Sequence, residues 1–102
     1  MTDQSRAVMV ARALLDAGTV TLRPDEPVTF KSGLRSPVYV DNRRLISQPA
    51  PWRVVVEAFE AELPEEDVVI AGVEAAGIPH SSALAYAASR PSVFVRKAAK
   101  GH

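Results

Sequence analysis

The last seven residues of the chain carry three cationic side chains and a histidine, with no acidic residue among them. These side chains are Arg96, Lys97, Lys100 and His102. Such a group suits a polyanion, because arginine offers a planar fork of donors and lysine a mobile point charge. A histidine can also donate a proton near neutral pH. The segment predicts phosphate or diphosphate binding, and the alternative is a solvated C-terminal tail.

A second candidate site is a stretch flanked by two glycines. Residues 72–79 read GVEAAGIP and place Gly72 and Gly77 between an apolar run and an alanine-rich segment. Glycines let the backbone approach a ligand, and the N–H groups that open a following helix bind anions. The stretch lacks the Lys-Ser/Thr pair of nucleoside triphosphatases and the GxGxxG pattern of dinucleotide sites. It predicts a phosphate or diphosphate loop, and the alternative is a tight turn without a ligand.

A third stretch, TFKSGLRSPVYVDNRRL at residues 29–45, interleaves basic residues with residues of high β-propensity. The bases are Lys31, Arg35, Arg43 and Arg44. A hairpin that carries them could close over an anionic ligand. The alternative is a surface hairpin kept soluble by its charge.

Histidines and acids are too scattered to predict a metal site held by the protein alone. His80 and His102 lie 22 residues apart, with Glu74 as the acid of the loop. We expect His80 to cap or pack rather than to catalyse, and we expect no metal bound only by protein side chains.

Hydrophobic periodicity and turn residues predict the helices and strands of about the first 63 residues. A helix with Asp3 or Ser5 as cap and Gly18 as its stop is followed by an antiparallel hairpin region and a second helix that starts near Pro51. The predicted ranges are a helix at 3–17, β-rich pieces at 19–22, 28–30 and 38–40, and a helix at about 49–63.

A strand, a helix and a second strand follow within about 28 residues. The continuous apolar run 68–73 is typical of a strand buried on both faces. An alanine-rich helix is predicted at 77–89 and a strand at 92–95, so the unit is βαβ with parallel strands. Ligands bind beyond the carboxyl ends of such strands. The glycine-flanked loop and the basic segment should therefore share one edge of the sheet.

The composition restricts the class of protein. The 102 residues suit one small domain, the formal net charge is zero and there are six aromatic residues, which argues against nucleic-acid binding. The absence of cysteine excludes disulfides and fits a reducing cytoplasm. No apolar run reaches the ~20 residues of a membrane span, and the first residues do not read as a signal peptide. We expect a soluble cytoplasmic protein without a membrane partner.

Together and in this order, the three stretches resemble the orotate phosphoribosyltransferases, which are type I phosphoribosyltransferases. FKSGLRSPVYVD looks like the hood motif of that family, VVIAGVEAAGIP like its strand and diphosphate loop, and VFVRKAAKGH like the strand that enters its mobile catalytic loop. The resemblance implies a partial α/β phosphoribosyltransferase fold. It would be a single domain over 1–102, with an N-terminal helix, a small antiparallel hood at about 18–44, a parallel βαβ core at about 49–95 and the start of the catalytic loop at 96–102.

The resemblance also implies a reaction. The family transfers ribose 5-phosphate from phosphoribosyl diphosphate (PRPP) to N1 of orotate, which gives orotidine 5′-phosphate and diphosphate in pyrimidine synthesis. Mg²⁺ would arrive mainly through PRPP oxygens. A homodimer that shares the 96–102 loop across its interface is the expected assembly.

Family positions are carried over to individual residues of this chain. Lys31 would contact PRPP from the hood, and Tyr39 and Val40 would lie along orotate. Ala75 and Ala76 would bind diphosphate through their backbone, although some relatives have a lysine in place of Ala76. The basic loop positions correspond to Arg96, Lys97, Lys100 and His102, of which Lys100 and His102 would be catalytic.

One family motif has no counterpart in these 102 residues. It is a later strand that ends in two adjacent acids, followed by a Thr/Gly-rich loop that cradles the 5-phosphate. We therefore expect the N-terminal half of the enzyme, from a truncated reading frame, a cloned fragment or a split gene, with little turnover alone. The alternative is a non-catalytic remnant that binds a ligand or dimerises.

Overall fold

A computed structural model of the chain describes residues 2–99, which fall into two compact units, Met1–Trp52 and Arg53–His102. Each unit is described by itself, and the single domain predicted over 1–102 stays a prediction. The elements in chain order are α1 (Asp3–Asp16), β1 (Val20–Leu22), β2 (Val28–Thr29), β3 (Arg35–Ser36), β4 (Val38–Val40), a 3-10 helix (Asn42–Ser47), α2 (Pro49–Glu62), β5 (Ile70–Val73), α3 (Gly77–Ala88) and β6 (Ser92–Val95).

Helix α1 begins at Asp3, as predicted, but its N-cap is not one of the predicted residues. Thr2 is the N-cap, and its Oγ1 accepts a hydrogen bond from the Ser5 N–H at 3.0 Å. The prediction of Asp3 or Ser5 as the cap is therefore wrong. Asp3 instead lies in the first turn, where a negative charge favours the positive end of the helix dipole.

The C-terminus of α1 is held by side chains from the 3-10 helix and the residue after it. Gly18 adopts φ +72°, as the predicted stop requires. Arg44 Nη1 donates to the Gly18 carbonyl at 2.8 Å, and Gln48 Nε2 donates to the Ala17 carbonyl at 2.8 Å. Leu45 lies between these two donors in sequence and is buried. The Arg44 side chain thus supplies a hydrogen-bond donor to a carbonyl just beyond the end of α1, 26 residues earlier in the sequence.

The strands of the first unit form two nested antiparallel pairs. β1 pairs with β4, and β2 pairs with β3, which the sequence pattern did not predict as a strand. The turn between β2 and β3 closes when the Phe30 N–H donates to the Leu34 carbonyl at 2.8 Å, with Gly33 at φ +90°. The predicted antiparallel hairpin region is confirmed.

The second unit contains the predicted βαβ arrangement. β5 and β6 are parallel, with Ile70 opposite Ser92 and Val73 opposite Val95, and α3 packs on both strands. α3 ends at Ala88, and its C-cap Ser89 adopts φ 55°. The next N–H, that of Arg90, donates to the Ala85 carbonyl in the last turn. The predicted parallel core is confirmed.

The two faces of β5 differ in burial, whereas β6 is exposed on both. Gly72 is buried beneath α3, whereas Val73 is 55% exposed. All of β6 is exposed, and Val93, Phe94 and Val95 are 51%, 50% and 49% exposed. The expectation that the first strand would be buried on both faces is wrong for this chain. The reason is that within residues 2–99 α3 covers one face of β5.

The loop before β5 is fastened to the end of α3 by an arginine. Arg90 donates to two carbonyls of that loop, those of Glu66 at 2.8 Å and Pro64 at 2.9 Å.

In the part of the chain from residue 2 to residue 99, no helix is both long enough and apolar enough to cross a membrane.

Candidate functional site

The loop between β5 and α3 starts from a close contact between strand and helix. A Cβ at Gly72 would overlap Ser81 Oγ and would lie 2.7 Å from the Gly77 carbonyl oxygen. Ser81 is itself buried, and its Oγ donates to the Ile78 carbonyl at 3.1 Å. Only glycine at position 72 lets the first turn of α3 approach the strand this closely.

The first turn of α3 is presented without a side-chain cap. Ala76 is the N-cap and makes no side-chain capping hydrogen bond. Ala75 and Ala76 are both exposed, and their methyl groups leave the loop backbone accessible. A helix N-terminus of this kind attracts anions. The structure thus places the two predicted diphosphate-loop residues at a position suited to that ligand.

His80 packs against the same loop from the first turn of α3. It is half-buried, and its Nδ1 lies 3.2 Å from the Ala76 carbonyl oxygen. The contact favours the tautomer with the proton on Nδ1, since a carbonyl can only accept. His80 therefore supports the loop backbone, as expected of a packing residue.

The beginning of the basic segment lies beside this loop. The Glu74 N–H donates to the Val95 carbonyl at 3.0 Å, which adds one backbone hydrogen bond beyond the paired strands. The Lys97 N–H donates to Glu74 Oε1 at 2.6 Å. The glycine-flanked loop and the first basic residues thus meet at one sheet edge, as the βαβ topology predicts.

Arg96 and Lys97 are both exposed at this edge. The Arg96 guanidinium carbon lies 5.3 Å from the centre of the Phe94 ring, a distance typical of a cation–π contact. Lys100 and His102, the two predicted catalytic residues, lie outside the described residues, and their roles stay predictions.

The predicted hood residues lie on the inner hairpin and on the strand that follows it. Lys31 is exposed in the turn between β2 and β3. Tyr39 on β4 is half-buried, and its ring lies 6.3 Å from that of Phe30 at an angle of 45°. Val40 is 47% exposed at the end of β4. The aromatic pair therefore joins the base of the Lys31 turn to Tyr39.

A charged pair follows Tyr39. Asp41 Oδ1 accepts a hydrogen bond from Arg43 Nε at 2.8 Å. The hydrogen bond from the Arg43 side chain holds the pKa of Asp41 below its ordinary value of 3.8, against the opposing effect of desolvation. Asp41 first, and Tyr39 to a smaller extent, raise the pKa of Arg43. Arg43 is thus fixed next to the predicted orotate-binding tyrosine.

Glu74 is a residue of the β5–α3 loop to which the sequence pattern assigned no site role. Glu74 is the one acidic residue in 68–102, and that isolation is the signal that could have marked it. Among residues 2–99 no group of three or more histidine, cysteine, aspartate or glutamate residues could hold a metal ion. The donors at the β5–α3 loop are backbone N–H groups, which suit an anion.

Comparison with known proteins supports an evolutionary relationship. Protein-family models give no match. An orotate phosphoribosyltransferase of Enterococcus faecalis is 42% identical over 99 residues, which are 94% of this chain and 47% of that protein. One from Halalkalibacterium halodurans is 42% identical over 97 residues, 91% of this chain and 46% of that protein. The chain spans about half the length of the curated relatives it matches.

Solved structures agree with these sequences. The crystal structure of orotate phosphoribosyltransferase from Aeropyrum pernix matches 91% of this chain and 52% of its own, with a TM-score of 0.71 and 33% identity. The structure of Leishmania donovani UMP synthase matches 91% of this chain and 20% of its own, with a TM-score of 0.74 and 35% identity. The predicted resemblance is confirmed: in sequence and in fold, the chain is a relative of the orotate phosphoribosyltransferases and corresponds to about half of one.

Proposed function

We propose that this chain takes part in the transfer of ribose 5-phosphate from PRPP to orotate. The bond from ribose C1 to the diphosphate oxygen breaks, a bond from C1 to orotate N1 forms, and N1 loses its proton. The products are orotidine 5′-phosphate and diphosphate. Because the sugar passes through an oxocarbenium-like state, negative charge grows on the leaving diphosphate, and groups that stabilise that charge accelerate the reaction.

The observation that carries the proposal is the meeting of two anion-binding features at one sheet edge. The uncapped first turn of α3 supplies a positive helix end, and the segment that begins at Arg96 supplies cations. The hydrogen bond from the Lys97 N–H to Glu74 joins them directly. A diphosphate is the ligand that uses both features at once.

The leaving group would therefore lie between the loop and the basic segment. The backbone at Ala75 and Ala76 would bind one side of the diphosphate, since both residues are exposed and carry small side chains. Arg96 and Lys97 would face its other side, followed by Lys100 and His102. In this proposal the last two act as the catalytic groups that cover the leaving diphosphate and exclude water.

The hood would supply the contacts to the nucleobase and to PRPP. Tyr39 presents an aromatic ring on β4, next to the exposed Val40, and a planar pyrimidine can lie against both. Lys31 projects from the β2–β3 turn and offers an ammonium group to a PRPP oxygen. These assignments rest on the family positions, and the aromatic pair with Phe30 supports them by fixing the Tyr39 ring.

Mg²⁺ enters this proposal with PRPP. The donor set at the β5–α3 loop does not fit a cation held by the protein, because backbone N–H groups repel it and the Glu74 carboxylate accepts from Lys97. The diphosphate oxygens of PRPP are hard ligands of the kind that Mg²⁺ prefers. No step described above depends on a metal held by these residues.

The proposed assembly is a homodimer in the cytoplasm, in which residues 96–102 act in the site of the neighbouring subunit. It rests on the family resemblance, and the absence of cysteine fits the compartment. Sedimentation of the chain at several concentrations tests the dimer, since a monomer at all of them would contradict it.

Calorimetric titration of the 102-residue chain with PRPP and Mg²⁺ tests the ligand. We expect binding that weakens with salt and falls in Arg96→Ala and Lys97→Ala variants, because two cations would be lost from the anion site. Arg12→Ala, which removes an exposed base from α1, is the matched control and should bind as the parent chain does. Absence of PRPP binding would contradict the proposed ligand.

A second assay separates catalysis from binding. The 102 residues contain no counterpart of the 5-phosphate loop, so we expect little orotidine 5′-phosphate from the chain alone. Mixing it with the complementary half of a relative should restore turnover. Binding without turnover in the mixture would favour the ligand-binding or dimerising module instead.

A further inference from the structure

An acid in a loop that is proposed to bind a diphosphate needs an explanation. Glu74 directly follows β5 and is the one acidic residue in 68–102. A carboxylate next to a diphosphate would repel it, and the effect is larger where water is partly excluded. Its presence therefore costs affinity unless its charge serves another purpose.

The contacts of Glu74 identify that purpose. Its N–H donates to the Val95 carbonyl at 3.0 Å, and its Oε1 accepts the Lys97 N–H at 2.6 Å. The backbone of Glu74 thus holds residue 95 and its side chain holds residue 97. Arg96 lies between these two fastened positions, with its guanidinium over the Phe94 ring. Hydrogen bonds to a charged acceptor are about twice as strong as neutral ones.

We infer that Glu74 is a positioning residue, which anchors the start of the basic segment to the diphosphate loop. The inference deepens the proposed function and rests on it for the identity of the ligand. The anchor fixes the backbone on both sides of Arg96, so that its side chain and that of Lys97 leave the sheet edge from a defined place. Because the basic segment is already ordered before a polyanion binds, less conformational entropy is lost on binding, and affinity rises.

The anchor itself is tested without any ligand by amide exchange. In the parent chain the Lys97 N–H should exchange at least about tenfold more slowly than an unprotected peptide, the factor that corresponds to the lower end of the net strength of a hydrogen bond to a charged group. Glu74→Ala should remove this protection, and Glu74→Gln, which keeps an acceptor oxygen, should retain part of it. Glu57→Ala, the same change in α2, is the matched control. An unprotected Lys97 N–H in the parent chain would overturn the inference.

The positioning role is tested by affinity for inorganic diphosphate, because two explanations predict opposite orders. If Glu74 positions the segment, Glu74→Ala binds about three- to tenfold more weakly than the parent chain although a negative charge has been removed. Glu74→Gln then binds at least as well as the parent chain. If Glu74 only repels the ligand, both variants bind more tightly and to a similar extent, and the positioning role is wrong.

If the proposed function itself is wrong, the binding and exchange experiments give a different combination of results. In that case the parent chain shows no affinity for diphosphate or PRPP, whereas the exchange of the Lys97 N–H still depends on Glu74. The anchor would then stand as a structural contact, and its role in ligand binding would be overturned. Urea unfolding separates misfolding from loss of the anchor, because loss of the anchor alone leaves the overall stability of Glu74→Ala close to that of the parent chain, whereas misfolding lowers it.

Discussion

The contact between β5 and the first turn of α3 gives a sharp test of the site's architecture. At Gly72 a methyl group would overlap Ser81 Oγ and lie 2.7 Å from the Gly77 carbonyl oxygen, so α3 must shift. Overpacking of this kind costs ~1–3 kcal/mol, and the backbone atom argues for the upper part of that range. Replacing glycine recovers ~0.5–1 kcal/mol of unfolded-state entropy. We expect Gly72→Ala to destabilise the second unit by about 2 kcal/mol.

The matched control is the same substitution five residues later. A Cβ at Gly77 would meet its nearest atoms, Gly72 C and Cα, at 3.7 and 3.8 Å, which is ordinary contact. Gly77→Ala should therefore be neutral or slightly stabilising. Urea unfolding followed by circular dichroism, with amide exchange in α3 to localise the effect, measures both variants. Equal stability of the two would refute the packing argument, whereas partial recovery in Gly72→Ala with Ser81→Gly would support it.

Three further predictions concern other local features. Ser89→Gly should stabilise the chain by ~0.5–1 kcal/mol in thermal unfolding, because Ser89 adopts φ 55° and glycine does so without a steric cost. Arg44→Ala should cost ~1 kcal/mol in urea unfolding, because it leaves the Gly18 carbonyl at the end of α1 without that donor. Asp41→Asn should lower stability at neutral pH. The folded-state pKa of Asp41 is depressed, so its stabilising effect is present above pH 3.8 and is lost as pH falls through the lowered pKa. The difference between parent and variant, followed by acid titration of unfolding, should therefore vanish in strong acid, and a difference that persists there would contradict the Arg43 pair.

The elements of the fold were predictable because their signals are local. Apolar periodicity, with Gly18 as the stop of α1 and Pro51 near the start of α2, located these two helices to within one or two residues at each end. The order of strand, helix and strand predicted the parallel pair. The 3-10 helix at Asn42–Ser47 was not predicted. It depends on contacts with the end of α1, made by Arg44 and Gln48 to residues 26 and 31 positions away. No pattern within a short window encodes such contacts.

The candidate site also has features that the sequence predicts and one contact that it does not. Topology alone brought the β5–α3 loop and the segment at Arg96 to one sheet edge, because carboxyl ends of parallel strands meet there. The anchor between Glu74 and the Lys97 N–H was not foreseen, since a bond from a side chain to a backbone group 23 residues away leaves no periodic trace. The residue types of the site were thus predictable from sequence, whereas the contact that arranges them required coordinates.

One prediction from the sequence was wrong, namely that the strand at 68–73 is buried on both faces. The apolar run on which it rested is nevertheless present. An apolar run such as 68–73 is typical of a parallel strand with cover on both sides. Yet Val73, Val93, Phe94 and Val95 remain about half exposed, although α3 packs on β5 and β6. The curated relatives are about twice as long as the matched region. The apolar pattern therefore shows which strand faces are suited to burial, and a pattern of that kind does not reveal how much of the covering structure lies within residues 2–99.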